Sequence, residues 1–140
     1  MRKPKDLISV KSFKKGVKLY EKNILPKFAK GQTKGVWFDL EEVKAFIDYI
    51  EKEAYAKKLE VSGIRFHIMA KDEDNYPMTL AWVPTVKKIN EKGEAVDVSL
   101  DILHSDSNKL FELNSVESPD DPEDENGGIL NFGALCPPGC

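Results

Sequence analysis

Cysteine is scarce in this sequence: Cys136 and Cys140 are the only two, both within the last five residues. With no second cysteine pair, the C-x₃-C spacing is too weak to define a zinc centre by itself. Arginine is as rare, with only Arg2 and Arg65, which leaves few side chains able to read base edges and argues against nucleic acid as a partner. No apolar run reaches the roughly 18 to 20 residues that span a bilayer, and "MRKPKDLISVKSFKKG" lacks the uninterrupted apolar stretch of a signal peptide. The expected location is the cytoplasm. A phosphate-cradling glycine loop is also missing: Gly127-Gly128 precedes "ILNFG" with no strand before it and no lysine after it. There is no internal repeat.

What is present suits one globular body. A chain of 140 residues with 41% hydrophobic and 32% charged content can bury a real core. Charge is polarised along it. Residues 1–34 carry eleven Lys or Arg against Asp6 and Glu21, a local +9, so the remainder carries −12 within a net of −3.

Phe13, Val17, Tyr20, Ile24 and Phe28 recur at steps of four and three, the spacing of one stripe of a helix starting near Ser9 or Ser12. Its other faces carry Lys11, Lys14, Lys15, Lys18 and Lys22, and Pro26 ends or kinks it near Ile24. "WFDLEEVKAFIDYI" signals a second helix, with Asp39 capping the first-turn amides, Glu42 reaching back and Phe38 clasping Val43. Val43, Phe46, Ile47, Ile50 and Ala54 form its buried stripe, running to about Leu59.

After Ser62-Gly63 the period becomes two, with Ile64, Phe66 and Ile68 on one side of a strand and Arg65, His67 and Met69 on the other. "AKDEDNYP" turns the chain into an antiparallel "MTLAWVPTV", where Pro84 calls for an edge or a bulge. "NEKG" makes the next turn, and "EAVDVSLDIL" alternates as a third strand. The stretch "HSDSNKLFELNS" leaves a helical turn near Leu110 to Leu113 open. The predicted class is α+β: two amino-terminal helices packed on an antiparallel sheet of three to four strands. The expected division is a domain over 1–114, an acidic linker over 115–128 and an apolar cysteine-bearing tail over 129–140.

Trp37-Phe38 before a capped helix, Ser62-Gly63-Ile64-Arg65 opening a strand, Val83-Pro84-Thr85 ending the next, and Asn131-x-Gly133 before Cys136-Pro137-Pro138-x-Cys140 together resemble a family of small uncharacterised bacterial proteins of the Bacteroidota type. The resemblance covers most of residues 35–140. It implies one domain and carries no activity, cofactor or substrate with it.

The chemistry-bearing residues leave three readings. A non-enzymatic interaction or accessory module with an unknown protein partner would use the sheet face at Arg65 and His67, or the tail through Phe132. A thiol- or metal-dependent protein would use Cys136 and Cys140, free, bridged across a Pro138-Gly139 turn, or holding zinc with a histidine. An anionic-polymer binder would use the lysine face of the first helix. The first is preferred, with no cofactor, because no catalytic constellation emerges. Asp101 and His104 can pair, but no Ser or Cys nucleophile is placed beside them, and "DEDN" lacks the glycine and distal glutamate of a calcium loop.

Overall fold

The computed structural model describes residues 3–27, 34–71, 74, 76, 78–113, 129–130 and, for the backbone alone, 134–136. The acidic linker, most of the "DEDN" turn, Phe28, Phe132 and Cys140 lie outside the described residues, as does the side chain of Cys136. Along the chain run α1 (Val10–Asn23), a short 3₁₀ turn (Leu25–Lys27), β1 (Gly35–Trp37), α2 (Leu40–Ala56), β2 (Val61–Ala70), β3 (Met78–Ile89), β4 (Ala95–Ser99) and β5 (Ala134–Cys136). β2, β3 and β4 form an antiparallel sheet in that order, and β1 pairs antiparallel with β5, Gly35 opposite Cys136. The fold is α+β, and no helix among the described residues is long and apolar enough to cross a membrane.

α2 forms where its signals stand. The Asp39 carboxylate accepts from the amides of Glu41 at 2.9 Å and Glu42 at 3.2 Å, relieving two of the four unpaired donors of the first turn. The helix stops at Ala56, not Leu59. Lys58 takes a left-handed φ of 59°, and the Leu59 amide turns back to the Ala54 carbonyl at 2.8 Å, closing the last turn in the manner usually left to glycine. Phe46, Ile50 and Ala54 are buried against Ile102 and Leu130, with Phe38, Leu59, Val61, Ile64 and Trp82 around them. Phe38 thus joins the core by packing against Trp82, with tilted rings whose centroids are 5.0 Å apart. Phe66 also meets Trp82, with ring centroids 4.5 Å apart. The buried indole N–H of Trp82 has no hydrogen-bond partner among the described residues.

Pro84 departs from expectation. It lies inside the central strand, opposite Ile64 on β2. The residues of β3 that turn their backbone away from β2 meet two different segments. Trp82 exchanges both hydrogen bonds with Leu130, at 2.9 and 3.1 Å, whereas Val86 and Lys88 pair with Val98 and Val96 of β4. Pro84 sits at the junction, where its carbonyl accepts from Leu100 at 3.0 Å and its missing N–H falls between the two ladders. Leu130, from the segment assigned to the tail, is therefore a core residue as well as a sheet residue.

The turns follow their chemistry. Gly93 takes φ 78°, and the Asn90 side-chain oxygen accepts from the amides of Lys92 and Glu94, both at 2.9 Å. The stretch around Leu110 to Leu113 is extended. Phe111 and Leu113 bond to Asp101 and Ser99 at 2.9 and 2.8 Å, extending the sheet beyond β4.

α1 is capped by Ser9, whose hydroxyl accepts from the Ser12 amide at 3.0 Å. Both helices were expected to pack on the sheet, yet α1 buries none of its residues. Phe13 is 59% and Val10 70% exposed, although Tyr20 and Glu21 are half-buried and Glu21 reaches Lys34 at 3.5 Å. An amphipathic period shows that a helix has an oily side; it does not supply the surface that covers it.

Candidate functional site

Arg65 and His67 do share a face of β2, as alternation requires, and the register brings further polar groups to them. Arg65 Nη1 donates to Ser99 Oγ at 3.1 Å, and His67 Nε2 lies 2.9 Å from the same oxygen. Arg65 Nη2 donates to the Asp97 carbonyl at 2.9 Å. A bulge between Val61 and Gly63 re-aims Ser62. Its hydroxyl donates to Asp97 Oδ1 at 2.8 Å and lies 3.0 Å from Thr85 Oγ1, while Lys87 Nζ donates to Asp97 Oδ2 at 3.1 Å. The result is one connected network across all three strands.

The His67–Ser99 distance is that of a base and its nucleophile. Ser99, however, is 4% exposed, and the Arg65 donor and the His67 ring both occupy its oxygen, so no substrate carbonyl can approach it. The network fastens β2 to β4 across β3. The sequence placed Arg65 and His67 on one face; Ser62, Thr85, Asp97 and Ser99 were missed because membership depends on strand register and on the bulge.

Hydrogen bonds from Ser62 and then Lys87, with the charges of Lys87 and Arg65 nearby, hold the Asp97 carboxyl below its usual range. A depressed carboxylate stabilises the fold at pH values above its ordinary range and loses that contribution as pH falls below about 4. Asp97→Asn is therefore less stable than the parent at neutral pH, with the difference closing in acid. Denaturant midpoints for both proteins across pH 2 to 7 check this; a pH-independent gap would refute the charge argument.

A second polar group surrounds the turn after β4. The buried Asp101 accepts from the Leu103 amide at 3.2 Å and pairs with His104 Nδ1 at 2.5 Å. The buried Ser105 hydroxyl accepts from the Phe111 amide at 2.8 Å. Lys57, at the end of α2, donates to the carbonyls of Ile102 at 2.6 Å and Leu103 at 2.5 Å. This arrangement holds a turn against a helix, and the Ser105 hydroxyl serves the backbone.

The third feature is α1 itself. Its apolar stripe, Phe13, Val17 and Tyr20, forms one wall of an open groove of about 420 Å³ whose other side includes Lys34 and Met78. Its lysines, from Lys11 to Lys22, line the opposite side of the helix with Val10 and Leu19. No group of three or more Cys, His, Asp or Glu suited to a metal occurs among the described residues; of the expected ligands, the Cys136 backbone pairs with Gly35 and Cys140 lies outside them.

Fold and sites together define an α+β domain that carries internally satisfied polar networks and an uncovered basic, apolar helix. Comparisons with models of protein families, with curated proteins and with solved structures find no match for the chain.

Proposed function

We propose that this chain is a cytoplasmic, non-enzymatic interaction module whose contact element is α1, presented to a protein partner with an apolar, acid-rimmed groove. The observation that carries the reading is a 14-residue helix with no buried residue. An isolated helix of that length is marginal in water and normally draws its stability from packing an apolar face. Here Phe13 and Val17 of that face are exposed, and lysines occupy the opposite side of the helix. The Arg65–His67 surface supports contact less well, since Ser99 and Asp97 already engage its donors.

Hydrogen exchange tests the premise: α1 amides should exchange far faster than those of α2 at the Phe46–Ile50 level, and slow when the partner binds. The double variant Phe13→Asp, Val17→Asp should keep the circular dichroism of α2 and the sheet but lose partner capture, which in the parent weakens with salt. Unchanged capture by that variant, or α1 amides as protected as those of α2 in the free protein, would end the proposal. Retention of the parent on anionic lipid vesicles, abolished in the same variant, would reassign the surface to a membrane.

A further inference from the structure

β2 is an edge strand, and among the described residues no strand pairs with its outer side. Its backbone orientation follows from β3. Trp82 and Pro84 turn their backbone groups toward Leu130 and Leu100, so the facing pairs Phe66–Trp82 and Ile64–Pro84 exchange no hydrogen bonds. Ile64, Phe66 and Ile68 consequently aim their N–H and C=O groups outward. Two of the side chains on that run are open as well, Phe66 at 53% and Ile68 at 73% exposed.

Natural edges are blunted by lysine, proline, a bulge or an outward charge. From Ile64 to Ile68 there is no lysine or proline, and the bulge falls earlier, between Val61 and Gly63. The one cation, Arg65, reaches across the sheet to Ser99 and Asp97 and so does not guard the edge.

We propose that this edge pairs with the same edge of a second copy of the chain, antiparallel, about a two-fold axis through Phe66. In that register Phe66 faces Phe66 of the second copy, and Ile64 faces Ile68 in both directions. Each of these pairs joins outward-turned backbone groups, so the register satisfies the ladder and places apolar side chains opposite one another on a single face. Arg65 then lies opposite His67 on the other face. The strand is self-complementary in the way an isologous contact requires, and two three-stranded sheets become one continuous sheet.

Sedimentation and light scattering on the full chain should show the 15.8 kDa mass doubling as concentration rises. Ile68→Lys should restore the single-chain mass with unchanged circular dichroism, because that side chain is among the most exposed of the sheet. A second readout does not depend on a variant. In the dimer, the amides of Ile64, Phe66 and Ile68 exchange as slowly as those of Arg65 and His67; on dilution the even-numbered three become fast and the odd pair stays slow. A parent that stays monomeric at every concentration overturns the inference, and so does a dimer that survives Ile68→Lys. Fast exchange at the even positions while the mass is doubled would place the contact elsewhere and overturns it too.

Discussion

Replacing Ile50 with alanine should remove about 3 to 4 kcal/mol of folding free energy, a large part of what a domain of this size possesses. Ile50 is 1% exposed and lies one turn from both Phe46 and Ala54 on α2. The cluster it joins includes Ile102, from the turn after β4, and Leu130, from the segment paired with Trp82. Deleting its outer atoms therefore opens a void between a helix and two separate stretches of chain, and such a void collapses poorly. Alanine's better helix propensity returns only a few tenths of a kcal/mol. Urea unfolding of the variant measures the loss. Tyr55→Ala, on the same helix but 87% exposed, should stay within about 0.5 kcal/mol of the parent and serves as the control. A loss below about 1 kcal/mol at Ile50 would show that α2 is not seated on this core.

The second large effect is expected at Asp101. Its carboxylate accepts from Leu103 N and His104 Nδ1, its carbonyl accepts from Ser105 N at 3.1 Å, and its amide donates to Phe111 at 2.9 Å. Asp101→Ala keeps the backbone bonds but strands the part-buried Leu103 amide and removes the carboxylate that pairs with His104 Nδ1, at about 2 to 3 kcal/mol. His104→Ala should cost less, because the carboxylate keeps the Leu103 amide. The same denaturant experiment ranks the two, and equal stability of Asp101→Ala and the parent would remove the carboxylate from the account of this turn.

Local patterns revealed much of this fold. The Asp39 cap, the Phe46–Ile50–Ala54 stripe, the period-two alternation of β2 and the Asn90–Gly93 turn depend on residues within a few positions of one another, and they stand as expected. What failed to show depends on distant chain. β1 and β5, at three residues each, are too short to display a period, and they pair across some hundred residues. Pro84 spoke for an edge because proline disfavours a central ladder; no local pattern reveals that one side of β3 is shared between β4 and Leu130. The helical period of α1 was plain, while its lack of a fully buried residue is a property of the assembled body. The same holds for the polar network, where Arg65 and His67 were visible as strand neighbours and Ser99, the hydroxyl that joins them, was not.

The split edge of β3 also sets a timetable for synthesis. β2, β3 and β4 are consecutive, so their hairpins can zip as they emerge, but the place beside Trp82 is filled by Leu130, forty-eight positions later. Without Leu130, Ile50 and Ile102 would surround a socket with one wall missing and an unpaired stretch of central strand beside it. The core closes only when that late leucine arrives, so the interval before its arrival is when the oily interior stands open to chaperones and to neighbouring chains.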